Sequence, residues 1–163
     1  MTHMKTKLIS RPRRSELLIP AGSLPKLKVA IEYGADAVYI GTPDLSLRTK
    51  SQFTLEDVVE GIRYAHARDK RVYLTLNLFS HNSDLSKLPE LINTVKKVRP
   101  DGIIVADPGV FSLVRKQAPD LPIHISTQAN ICSSLSVNFW KDQGATLCVL
   151  AREVSFQELT EIR

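Results

Sequence analysis

Glu16-Leu-Leu-Ile-Pro-Ala-Gly-Ser23 is the stretch whose reading decides the fold. Residues 16–20 form a short, mostly apolar run. Pro20-Ala-Gly-Ser23 then breaks it, and a helical pattern opens at Leu24. Strand, tight turn and helix in succession make the first part of a βα unit. In a doubly wound sheet the first such turn usually carries a glycine-rich phosphate loop. Pro20-Ala-Gly-Ser23 contains no GxGxxG. The turn therefore favours a barrel over a doubly wound sheet.

Outward from this stretch the same alternation repeats. Five further β-rich runs occupy residues 36–40, 71–76, 101–106, 122–126 and 145–150. Each is nearly continuously apolar, as expected of strands buried on both faces of a helix-covered parallel sheet. Helical patterns fill the intervals, at residues 24–33, 54–68, 85–98, 108–117 and 134–143. Ser23 is placed as an N-cap, with Pro25 tolerated in the first turn. Asp107 before Pro108 reads as a helix start. Ser155-Phe-Gln-Glu158 reads as a capping box opening a last helix. Gly34 and Gly144 stand where two of the helices should stop. Six βα units in series predict an α/β fold, a partial TIM-like (β/α)8 barrel. A whole barrel takes eight units and about 250 residues. The sequence reaches Arg163 inside its sixth helix, so the expectation is a barrel with strands one and six as open edges.

Composition bounds the rest. The chain has 163 residues, 43% hydrophobic and 24% charged, as an ordinary globular domain does. No apolar run approaches the roughly 20 residues of a membrane span, so no membrane partner is expected. The net charge is +5. Residues 1–14 carry five basic residues (Lys5, Lys7, Arg11, Arg13, Arg14) and no acidic one, and the remainder is balanced. They read as a basic disordered leader, able to touch RNA or an acidic surface, ahead of a barrel domain over residues 15–163. Cys132 and Cys148 lack CxxC partners and make neither a disulfide framework nor a metal site. Reduced thiols and a cytoplasmic location follow as expectations.

Barrel active sites lie at the C-terminal ends of the strands, and that rule selects candidates by position. Arg48 follows strand two, and its cation suits an anionic substrate through bidentate pairing. Asn77 and His81 follow strand three, with His81 a candidate for proton transfer. Asp107 follows strand four. Gln128 and Asn130 follow strand five and offer both donors and acceptors to a ligand. Arg152 and Glu153 follow strand six, either as catalytic groups or as a pair for each other. We assign His81, Arg152 and Glu153 as catalytic candidates, and Arg48, Asn77, Asp107, Gln128 and Asn130 as substrate-binding ones. His124, within a strand, reads as a hydrogen-bonded structural histidine. No HExxH or paired metal-ligand spacing occurs.

Several of these segments carry a resemblance. Glu16-Leu-Leu-Ile-Pro-Ala-Gly-Ser23, Tyr33-Gly-Ala-Asp-Ala-Val-Tyr-Ile-Gly41, Ser46-Leu-Arg48, Thr75-Leu-Asn77 with His81-Asn82, and Ile123-His-Ile-Ser-Thr-Gln-Ala-Asn130 appear in order. Asp107-Pro-Gly109, Asn138-Phe-Trp140 and Leu150-Ala-Arg-Glu153 complete the set. Together they resemble the collagenase-like peptidases, family thirty-two of unassigned catalytic type. Ser46-Leu-Arg48 points to the branch acting in tRNA hydroxylation. The resemblance implies a TIM-barrel-like N-terminal domain followed by further domains. It implies prephenate-dependent 5-hydroxylation of a tRNA wobble uridine, with tRNA as partner and prephenate as acidic cosubstrate. It also implies an iron–sulfur cluster whose cysteines lie in a motif beyond the stretch matched here. Alternatives are a genuine peptidase, and an inactive truncated barrel serving as a binding subunit.

Overall fold

The structure, a computed structural model, describes residues 15–41, 53–77 and 82–163. The basic leader over residues 1–14 lies outside them. Six strands form one parallel sheet in strict chain order. They are β1 (Leu18–Ala21), β2 (Ala37–Gly41), β3 (Arg71–Leu76), β4 (Gly102–Val105), β5 (Ile123–Ile125) and β6 (Leu147–Cys148). Between them run α1 (Leu24–Glu32), α2 (Leu55–His66), α3 (Asn82–Leu85), α4 (Leu88–Val98), α5 (Pro108–Gln117) and α6 (Ser134–Gln143), and α7 (Phe156–Ile162) follows β6. None of the described helices is long and apolar enough to cross a membrane.

The two faces of the sheet differ, and the difference identifies the fold. Alternate strand residues Val38, Ile40, Val72, Leu74, Leu76, Ile103, Val105, Ile123 and Ile125 join one core with helix residues such as Leu27, Ile62, Ile92, Val110, Val114 and Trp140. The opposite face forms its own small cluster of Ala37, Tyr73 and Ile104, with Tyr39 packed against it and, among the described residues, no helix residue in it. The helical core lies on one face, as in a (β/α)8 barrel; a doubly wound sheet covers both. Parallel strands in sequential order give the same result.

The sequence placed β1 and β6 among the strands buried on both faces. The structure corrects this. Leu18 is 38% exposed and Leu147 is 47% exposed, because each strand has one neighbour only among the described residues. Large apolar side chains around β6 share this openness, with Leu135 at 80% and Phe156 at 90% exposed.

Local chemistry explains the element ends. Thr54 and Asp57 form a capping box at α2, and Ser155 and Glu158 form the expected one at α7. Ser23 occupies the N-cap position of α1, but its side chain makes no capping bond. The single helix expected over residues 85–98 is two, α3 and α4. Pro89 lacks an N–H, which suits the first turn of a helix and not its middle, so α4 starts afresh at Leu88. Gly34 and Gly144 take φ of 98° and 96° at the ends of α1 and α6. That left-handed backbone is open to glycine at little cost.

Two aspartates clip the N-terminal ends of neighbouring strands together. Asp36, one residue before β2, accepts a hydrogen bond from the Leu17 amide at 2.9 Å. Asp101, one residue before β4, accepts one from the Val72 amide of β3 at 2.8 Å and pairs with His66 at 2.9 Å. Thr146 before β6 plays a related part, its hydroxyl donating to the Ile123 carbonyl at 3.0 Å.

Candidate functional site at the C-terminal ends of the strands

The strands run in parallel, so their C-terminal ends meet on one rim. Asn77 directly follows β3, half-buried, with a buried side-chain oxygen that has no hydrogen-bond partner among the described residues. Asp107 is the N-cap of α5, and its Oδ1 accepts from the Val110 amide at 2.9 Å. A capping role and a ligand role are compatible, because a carboxylate has two oxygens. Gly109 leaves the space for this cap: a Cβ there would lie 3.0 Å from Oδ1.

The end of β5 is the most elaborate. Buried Ser126 accepts from the Gln128 amide at 3.3 Å, opening a 3-10 turn over Thr127–Ala129. The Thr127 hydroxyl donates to the Leu150 carbonyl at 3.3 Å and ties this turn to the segment after β6. Gln128 is half-buried and its side-chain oxygen has no partner among the described residues. Asn130 ends the turn in left-handed backbone, φ 52°, with its side chain exposed. Arg152 and Glu153 are exposed beyond β6 and form no ion pair with each other. The structure thus brings Asn77, Asp107, Gln128, Asn130, Arg152 and Glu153 to one end of the sheet. Arg48 and His81 lie outside the described residues.

Sequence reasoning passed over the inner face of the sheet. Tyr39, Tyr73, Thr75 and His124 sit on alternate positions pointing away from the helices, where barrels mostly carry aliphatic layers. Gly102 makes room for two of them. A Cβ on it would come 3.3 Å from the Tyr73 ring and 3.6 Å from His124 Nε2. Over this gap the rings of Tyr73 and His124 meet at 4.7 Å between centroids. Among the described residues, this ring contact is what holds His124. Below it Arg71 pairs with Glu16. The signal was the alternation within Arg71-Val-Tyr-Leu-Thr-Leu76, polar at every second residue.

Burial, and then the Arg71 cation, lower the pKa of His124 from 6.5. Burial is also the main reason the Tyr73 phenol is pushed up, with the Glu16 charge adding to it. The His124 shift has a consequence with a definite sign. Between the lowered value and 6.5 the unfolded chain binds more protons than the folded one, so stability rises with pH there and is lost as pH falls. Urea unfolding at about pH 7.5 and about pH 5.5 should show the loss, and His124→Gln should shrink it. Equal losses in both proteins would rule out His124 as the source.

An iron–sulfur cluster does not fit the described residues. They contain no group of three or more His, Cys, Asp or Glu able to hold a metal. Cys132 is exposed and Cys148 half-buried, both are free, and burial raises the Cys148 thiol pKa. A thiol that resists ionisation is a poor metal ligand.

Fold and rim together define a partial (β/α)8 barrel with polar groups gathered at the C-terminal ends of its strands. The model of Peptidase family U32 matches residues 22–163, and the chain belongs to that family. It is 49% identical over 150 residues to tRNA hydroxylation protein P of Helicobacter pylori (strain J99), covering 91% of this chain and 36% of that protein. It is 42% identical to tRNA hydroxylation protein P of Escherichia coli, covering 92% of this chain and 33% of that protein. A 23S rRNA 5-hydroxycytidine synthase of Escherichia coli is 35% identical, with 91% and 22% covered. The chain spans about a third of the length of the first two relatives. Among solved structures, a U32 peptidase superposes with a TM-score of 0.72 at 16% identity, over 98% of this chain and 68% of that one. A 3-hexulose-6-phosphate synthase follows at 0.59 and 13%, over 86% and 66%. Both likenesses concern the fold.

Proposed function

We propose that this chain forms part of the barrel of an enzyme that hydroxylates pyrimidines in RNA, with tRNA as its substrate. The observation that carries the reading is the 49% identity over 91% of the chain to a protein named for tRNA hydroxylation. The rim suits the role. Asn77, Gln128 and Asn130 offer neutral hydrogen-bonding groups to a nucleoside, while Arg152 offers a cation to an acidic cosubstrate such as prephenate. Arg48 and His81 belong to the same proposal as cosubstrate ligand and proton-transfer group.

Converting a ring C–H to C–OH adds an oxygen atom and removes two electrons. The oxygen source and the two-electron acceptor would have to come from outside the described residues, from a cosubstrate or a redox group. The chain's own residues bind and orient. A tRNA substrate, like free thiols, fits a cytoplasmic site of action.

Mass spectrometry of tRNA nucleosides from strains with and without the gene tests this. Loss of 5-hydroxyuridine or its derivatives on deletion, restored by the gene, is the expected result. Unchanged tRNA in a strain without a redundant pathway would overturn it. A simultaneous loss of 5-hydroxycytidine from ribosomal RNA would redirect the reading to that substrate.

A further inference from the structure

We infer that Asn77 and Gln128 are a pair of acceptors for N–H or O–H donors of the bound ligand. Most buried polar atoms in folded proteins are hydrogen-bonded. The side-chain oxygens of Asn77 and Gln128 are buried and lack partners among the described residues. Both stand at the same end of the sheet, after β3 and β5, on either side of β4. The remaining orphan of this kind, the Gln117 side-chain oxygen, lies in the last turn of α5, at the opposite end of the sheet.

The chemistry between them is consistent. Asp107 follows β4 with one oxygen engaged in its cap. Three consecutive strand ends therefore present carbonyl or carboxylate oxygens. The orphaned amide oxygens call for donors on the ligand, while the Asp107 carboxylate disfavours an anion beside it. The exposed Arg152 stands beyond β6, outside the arc. Nucleoside donors, such as the imide N–H of uracil, therefore face β3 to β5, and the anionic cosubstrate lies outside this arc.

This inference rests on the reading of the rim as the ligand site, and its test separates the two. An orphaned buried acceptor costs stability, and an apolar group of like shape relieves that cost. Gln128→Met and Asn77→Leu, made in the full-length protein, should melt at the wild-type temperature or roughly 2–4 °C above it. In the complemented deletion strain both should lower the hydroxylated nucleoside about tenfold or more, and Gln128→Glu, which keeps acceptor oxygens, should retain more. A drop of several degrees in melting temperature would overturn the inference, since the oxygens would then have structural partners. So would an unchanged nucleoside level. If the wild-type gene restores no modified nucleoside, the functional reading fails by itself. The melting temperatures then decide the acceptor assignment: equal or higher sustains it, lower ends it.

Discussion

Leu74→Ala should lower the unfolding free energy by about 2–5 kcal/mol. Leu74 stands in the middle of β3, paired in register with Ile40 on β2 and Ile103 on β4. All three are almost fully buried on the face covered by helices. Truncation removes the transfer free energy of the lost carbons. It also leaves a cavity that hydrogen-bonded strands on both sides cannot collapse into. A domain of ordinary stability, about 5–15 kcal/mol, would lose a large share of it. Thermal unfolding should show a fall of roughly 5–15 °C. Val29→Ala, on the exposed side of α1, should shift the transition far less. Similar shifts for both would mean that the helix-facing layer is not the main core.

Gly102→Val should be nearly as damaging, for the opposite reason. A Cβ at Gly102 would approach the Pro122 carbonyl oxygen to 3.1 Å and the Tyr73 ring to 3.3 Å. The Pro122 oxygen already accepts the Ile103 amide at 2.9 Å, the bond that starts the pairing of β4 and β5. Backbone held in this way yields less than a flexible side chain. Valine adds two methyl groups to the space that the Tyr73 and His124 rings share, and overpacking of this kind costs about 1–3 kcal/mol or more. Gly102→Ala should cost less than valine. Near-ultraviolet circular dichroism would report the displaced Tyr73 ring in folded variant protein. A valine variant as stable as wild type, with an unchanged tyrosine signal, would show that the ring contact does not depend on this glycine.

The sequence disclosed the helices well because their signals are local. Caps at Asp107 and Ser155 and stops at Gly34 and Gly144 act within a turn of the backbone they control. The barrel topology was legible from the missing phosphate loop at Pro20-Ala-Gly-Ser23, a single negative feature confirmed by strand order and by helices on one face. What escaped depends on contacts across the chain. Hydropathy alone reads strands one and six as buried on both faces; the count of βα units marks them as edges, where Leu18 and Leu147 are exposed among the described residues. The tilted Tyr73–His124 ring contact requires residues 51 positions apart to meet over Gly102. Position alone selected the rim residues. The helix-start signal already marked Asp107 as a cap, but nothing local in the sequence showed that the Asn77 and Gln128 oxygens have no partner among the described residues.

The strand order carries a consequence for how the chain acquires its structure. Each strand pairs first with the one made just before it, so no interior strand waits for a distant segment to supply an edge. Asp36 reaches back to the Leu17 amide, Asp101 to the Val72 amide and Thr146 to the Ile123 carbonyl. Each clasps a new unit to its predecessor as that unit arrives. Synthesis proceeds from the N-terminus at about 5–20 residues per second, far slower than helix formation or the closing of a short loop. The sheet can therefore be laid down one βα unit at a time on the ribosome, each finished edge serving as the template for the next.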